Sequence, residues 1–529
     1  MAIGVGQPGL EPDPTAPLPT GDRLQLGPRY ASAPINHGVR QIQAQIAGGA
    51  PKPLRPEKGR APRARRIDTL RHLNPGTSPP PRLIQPHAPP PQAPAAAATP
   101  LAVVVTTFEA GADDNTTIPP DTHAAFSPTH AITAHNNNIH FIDLANLHAA
   151  PTVVALNTFW GLEGCFDPKV VYDRARQRFY FVTMAGAVSA NSALLIGVSA
   201  GDDPTLPWQL NTVRVDPAAQ GHVWMDYPSL GFSGDKVTVQ VNLFTIDNNA
   251  FAGSTVYVVD KAALINPGAA IVLQRFVLTN QGAGQAPAVT LDANVNDQYL
   301  VASWTGDDGS GRGALAVWLL AGSAAAGTVA LTRVGFVTGT ATWDSFPPSG
   351  EFAPQSGISD RQDVGDDRML TVINRDGTLH CCHTVMRPAG GATHAALQWW
   401  DIPIATWVAT TGLLEAPDAS VFHAFPSLAV NGQGDKLIGH AEFSANTHPS
   451  GAYLLLLVNG SRAAAVFAAG QNTYLKRFTG NKNRWGDYSA TQVDPRDDHS
   501  FFTVQEYASA QQNTWATRVA HVTTVAGQV

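Results

Sequence analysis

The chain has 529 residues, 47 of them Gly and 41 Pro, with 44% hydrophobic and only 14% charged residues, a profile suited to short strands joined by tight turns around a large core. A net charge of −7 provides no field that gathers phosphates, which argues against nucleic acid as the partner of the main body. Three cysteines, Cys165, Cys381 and Cys382, with no CxxC pair, exclude a full disulfide framework and a four-cysteine zinc site; no run reaches the ~20 apolar residues of a membrane span.

Residues 1–100 are rich in Pro, Ala, Gly and Arg and poor in aromatic and β-branched residues. Such a segment buries too little apolar area to offset the entropy of ordering, so a disordered Pro/Ala-rich leader or linker is expected there. Its start, Met1 to Pro8, lacks the basic and apolar regions of a classical signal peptide. Lys52, Arg55, Lys58, Arg60, Arg63, Arg65 and Arg66 form a basic cluster, read as a solvated charge run, as a tether to an anionic surface or as a cleavage site. A short helix is expected over Ile67–Leu73.

From 101 to 529 the pattern is that of one β domain. Short runs rich in Val, Phe, Tyr and Thr predict strands at Leu101–Thr107, Val170–Tyr172, Phe179–Val182, Ala193–Val198, Val237–Val241, Thr255–Val259, Tyr299–Ser303, Leu315–Leu320, Met369–Val372, Tyr453–Val458 and Phe501–Val504. Turn clusters such as Gly231–Asp235 and Asp307–Gly311 separate them, and Asp260–Asn266 predicts a single helical turn. Four segments begin alike, at Phe166-Asp167-Pro168, Met225-Asp226-Tyr227-Pro228, Ala424-Phe425-Pro426 and Gly486-Asp487-Tyr488. Weaker copies start near Pro119, Ala286 and Gln362. Units that recur in this way and cannot bury both sheet faces alone predict an all-β, seven-bladed β-propeller.

In a propeller the innermost strand of each blade lines a central channel. The repeat therefore places Asp121, Asp167, Asp226 and Asp487 near equivalent positions at its mouth. Two readings stay open: an acidic ring that binds a cation, for which calcium suits the oxygen-only ligands, or separate Asp residues that cap their own turns. Asp487 and Glu506 are candidates for a catalytic carboxyl pair. Trp224, Trp485 and Tyr488 flank the Asp positions and suit either sugar stacking or packing between blades, and Arg484 suits an ion pair with Asp487 or an anion. His380-Cys381-Cys382-His383 looks like a soft-metal patch, but strand alternation splits it between two faces, and the same alternation keeps His123, His130, His135, His140 and His148 from converging as a set.

Pro119-Pro120-Asp121-Thr122, Asp226-Tyr227-Pro228-Ser229-Leu230, Phe425-Pro426-Ser427-Leu428 and, most specifically, Arg484-Trp485-Gly486-Asp487-Tyr488-Ser489 resemble a family of bacterial, mostly exported, sialidase-like (BNR-type) propeller proteins of unsettled function. The resemblance implies a propeller and a secreted or cell-surface life. No Ser-x-Asp-x-Gly-x-Thr-Trp box is intact; Arg375-Asp376-Gly377-Thr378 is a fragment, so the sialidase mechanism does not carry over. The function expected is binding of a glycan or cell-surface polymer at the channel mouth. The alternatives are a sialidase-like glycoside hydrolase and a protein-interaction scaffold. The sequence leaves oligomeric state open.

Overall fold

The computed structural model describes residues 102–215, 222–266, 271–278, 281–477 and 482–524, together with two short strands, Asp22–Gln25 and His37–Gly38. Those two strands are the described part of the leader. Asp22–Gln25 pairs antiparallel with Val272–Leu278, and His37–Gly38 pairs with Pro207 and Trp208. The disorder expected for the rest of the leader, the basic cluster and the helix at Ile67–Leu73 lie outside the described residues.

The fold is an all-β propeller of antiparallel meanders. The first blade runs His123–Phe126, His130–Ala134, Asn138–Asp143 and Thr152–Ala155. The second runs Cys165–Asp173, Arg178–Ala185, Ala193–Ser199 and Pro207–Arg214, with His37–Gly38 added at its outer edge. Separate blades also form over 286–339, over 421–468 and at the C-terminus. The last is completed by a strand from before the first blade: Ala102–Ala112 pairs antiparallel with Trp515–Thr524 and so closes the ring.

Five blades thus stand as separate sheets, not the seven expected. The remaining strands form one ten-stranded sheet that holds two four-strand runs, 223–278 and 369–414, with Asp22–Gln25 at its edge. The physical cause is a split strand. Ala286–Pro287 pairs antiparallel within its own blade, whereas Val289–Thr290 pairs parallel with Phe232 on one side and with Ile373 and Asn374 on the other. Those two residues stitch the flanking runs together. Gly231 permits the approach, because a Cβ there would stand 2.5 Å from the Ala288 carbonyl oxygen and 2.6 Å from that of Pro287.

The core lies as apolar wedges between blades. Tyr180, Val182 and Leu194 pack against Val237, Val239 and Tyr257 of the next run, and Phe141, Phe159 and Trp208 fill the wedge between the first two blades. All three cysteines are buried and free, and burial pushes the Cys165 thiol up to about 12. The helical turn expected at Asp260–Asn266 forms at Lys261–Ile265, where the Asp260 carboxylate accepts the Ala263 N–H at 2.8 Å. A second turn, Leu156–Trp160, has no side-chain cap, so its sequence carried no start signal. Among the described residues no helix is long and apolar enough to cross a membrane.

Candidate functional site

The repeat starts lead into the innermost strands, and several break the ladder in the same way. Asp121, Asp167, Tyr227 and Phe425 have φ of 49°, 55°, 52° and 54°, although none is glycine. In three of them a Pro follows and the register shifts, between Phe166 and Lys169, Asp226 and Ser229, and Ala424 and Ser427. A bulge of this kind bends the strand and re-aims its side chains. Left-handed backbone at such residues costs of order 1–3 kcal/mol, so it persists only where neighbours fix it.

Side chains of adjoining blades supply that fixing. Asn136 Nδ2 donates to Asp121 Oδ2 at 2.6 Å and to the Pro119 carbonyl at 2.8 Å, while its Oδ1 accepts the Asp167 N–H at 2.8 Å. Asp167 Oδ2 in turn accepts the Tyr227 N–H at 3.2 Å, and Thr384 Oγ1 accepts the Phe425 N–H at 3.1 Å. Asp121, Asp167 and Asp226 are fully buried. No three of the carboxylates of Asp121, Asp167, Asp226 and Asp487 lie within 4.8 Å of one another. Asp121 and Asp167 join blades through Asn136 and backbone N–H groups, and Asp226 accepts the Tyr227 N–H at 3.0 Å.

Below this layer lies a cationic and aromatic plug. Lys169 Nζ sits 4.8 Å from the Tyr227 ring centroid and 4.1 Å from that of Tyr488. Burial lowers the Lys169 pKa to about 8, against the pull of Asp167; Arg368 lowers it further. The Arg368 guanidinium stacks 4.2 Å from Tyr227 and grips Asp366 bidentately at 2.6 and 2.5 Å. Tyr488 spends its hydroxyl on the Pro168 carbonyl at 3.1 Å.

The expected stacking platform is not formed. Trp224 is fully buried against Phe166 and Phe244, with Nε1 donating to Asn249 at 3.0 Å. Trp485 is buried between Phe443 and Tyr474, and Tyr488 belongs to the plug. These rings are wedged between blades and present no open face to a sugar. Arg484 is buried between Asp363, at 3.0 Å, and Asp487, so it is committed to the protein's own carboxylates. Glu506 is also buried. Desolvation first, then the nearby Asp121 and Asp113, hold its carboxyl well above the usual range, and its Oε1 has no hydrogen-bond partner. Glu506 and Asp487 are neighbours, since Glu506 Oε2 approaches Gly486, and neither lines the channel cavity.

The open space lies on the other side of the plug. A cavity of about 190 Å³ follows the channel from His123 and Lys169 to the far ends of the innermost strands. Val170, Leu230, Val289 and Val372 give it apolar walls. Its rim is charged: Lys261 pairs with Asp173 at 2.7 Å, Arg375 grips Asp498 at 2.8 and 2.6 Å, and exposed Arg174 lies 3.6 Å from Asp498 beside exposed Arg176. None of these rim residues was among the sequence candidates. The available signal was the Asp173-Arg174-Ala175-Arg176 turn that ends the second blade's innermost strand.

No family model and no curated protein matches the chain. Solved structures with a related trace include a Trypanosoma rangeli sialidase in complex with sialic acid (12% identity, 76% of this chain and 59% of that one, TM-score 0.39). Others are the phage phi92 endosialidase (11%, 67% and 66%, 0.37) and a Fusarium graminearum α-L-arabinofuranosidase with an iminosugar inhibitor (8%, 80% and 99%, 0.38). The chain spans less than two thirds of the length of both the sialidase and the endosialidase. The fold itself rests on the strand order above.

Proposed function

We propose that the protein binds an acidic carbohydrate or surface polymer, and that the ligand enters the central channel from the rim formed by Arg174, Arg176 and Arg375. The observation that carries this reading is the cavity itself, with apolar walls and guanidinium groups at its open end. Ligand sites are typically concave and mostly apolar with a few placed polar groups, and guanidinium recognises carboxylate or sulfate in a bidentate way. The resemblance to exported sialidase-like propellers supports a secreted or cell-surface location. The count of seven blades belongs to the same proposal: it treats the ten-stranded sheet as two blades, a view supported by the cyclic adjacency of the innermost strands.

A second reading is a glycoside hydrolase. It is favoured by one observation, the Glu506 carboxyl beside Asp487: burial holds Glu506 well above the usual carboxylate range, as a general acid requires. The test incubates the full chain with a mixed glycan library and analyses bound and free fractions by mass spectrometry. Retention of intact acidic glycans, lost in an Arg174→Ala/Arg176→Ala double variant and kept in Glu506→Gln, supports the binding reading. Smaller product glycans that vanish in Glu506→Gln establish the hydrolase instead. If neither appears, the carbohydrate reading falls and a protein-interaction scaffold takes its place.

A further inference from the structure

The blade over 421–468 carries a group of side chains that the channel does not use. Its innermost strand, Val421–Val430, pairs with Lys436–Ser444 so that His423 lies directly opposite Glu442. His440 is two residues before Glu442, and alternate residues of a strand share a face. The three side chains therefore meet. One ligand atom from each lies within 4.8 Å of the other two, the only such trio of His, Cys, Asp or Glu among the described residues. His423 Nδ1 is 3.9 Å from Glu442 Oε2, and the two imidazole rings stand edge to face at 5.0 Å.

Two buried nitrogens in this group lack partners. His440 Nδ1 faces the Ile438 carbonyl at 3.4 Å and must donate to it, which leaves the lone pair on Nε2. That Nε2 has no hydrogen-bond partner, and neither does His423 Nδ1. His440 is 1% exposed and His423 6%. Buried polar atoms left unpaired are costly, and each such atom in a folded protein calls for an explanation. A ring nitrogen held in one tautomer by a backbone carbonyl is the usual arrangement of a metal-binding histidine.

We infer that His423, His440 and Glu442 bind one divalent transition-metal ion. Two imidazoles and one carboxylate are the donors that zinc and its first-row neighbours take. Ligands about 2.0–2.1 Å from a tetrahedral ion lie about 3.4 Å apart, so the observed spacing closes with small side-chain rotations. Glu442 is the partly exposed member, with a quarter of its side chain accessible, and the coordination position left open faces the solvent on its side. That position takes water or an anionic ligand oxygen. The patch at 380–383 offers nothing comparable: His380 is bound to Asp401 at 2.6 Å, and His383 to the Asp367 carbonyl at 2.9 Å and to Trp400 at 3.2 Å.

The test uses the untagged full chain, stripped with chelator and titrated with Zn²⁺ by calorimetry and with Co²⁺ by visible absorption. The expected result is one ion per chain, with Co²⁺ d–d bands of low-coordinate geometry. Glu442→Gln keeps the shape at a partly exposed position and should weaken Zn²⁺ binding at least about tenfold, the scale seen when even an outer partner of a metal ligand is lost. His423→Gln should do the same, and thermal melts confirm that both variants fold. Absence of binding to the unaltered chain overturns the inference. So does an affinity that Glu442→Gln leaves unchanged, which by itself decides the matter if His423→Gln fails to fold.

Discussion

Glu506 is buried beside Asp121 and Asp113, and the carboxyl keeps its proton in the folded state far above the 4.5 at which an unperturbed Glu releases it. A raised folded pKa contributes stability that is complete below the unfolded value and is lost as pH rises towards the folded one. Measured against Glu506→Gln, the unaltered chain should therefore lose melting temperature between about pH 5 and about pH 8; the comparison cancels the buried histidines, whose lowered pKa values act in the opposite direction. A variant with the same slope as the unaltered chain would remove Glu506 as its source. At this scale the sequence was a partial guide. The recurrence of Asp121, Asp167, Asp226 and Asp487 pointed to equivalent places in the repeat. The roles of Asp167 and Asp226 were not legible, because a bulge and a left-handed residue decide where these carboxylates point, and neither leaves a mark that differs from an ordinary turn. The aromatic residues show the same limit: Trp224 and Trp485 adjoin the mouth in sequence, yet burial takes both rings out of reach.

At the scale of elements, stability depends on how one blade holds the next. Asn136 is the clearest link, since its one side chain serves the Pro119 carbonyl, Asp121 and the Asp167 N–H. Asn136→Ala removes three buried hydrogen bonds and should cost about 3 kcal/mol, read from denaturant midpoints at constant slope. Gly231→Ala tests the stitched sheet. Its Cβ would meet backbone oxygens that cannot rotate away, so a loss of about 2–3 kcal/mol is expected, and a neutral effect would show that the strands at Phe232 and Val289 separate easily. The strand runs themselves were legible from composition, and those expected at Phe179–Val182, Ala193–Val198 and Leu315–Leu320 fall inside Arg178–Ala185, Ala193–Ser199 and Gly313–Ala321. The parallel bridge at Val289–Thr290 was not, because two residues carry no periodicity.

For the whole molecule, the decisive feature is the closure of the last blade by Ala102–Ala112. A chain that begins after this strand leaves Trp515–Thr524 as an unpaired edge beside an apolar core. It should lose cooperative melting and aggregate, and sedimentation of the truncated chain checks this. The same closure fixes how the ring answers a mechanical load. Ala102 pairs with Thr524, so both ends of the described ring leave from one end of a single antiparallel ladder. Ladder hydrogen bonds lie across the strands, and tension applied at Ala102 and Thr524 loads one pair at a time instead of all together. The ring should then open like a zipper, at low force and from its ends inwards.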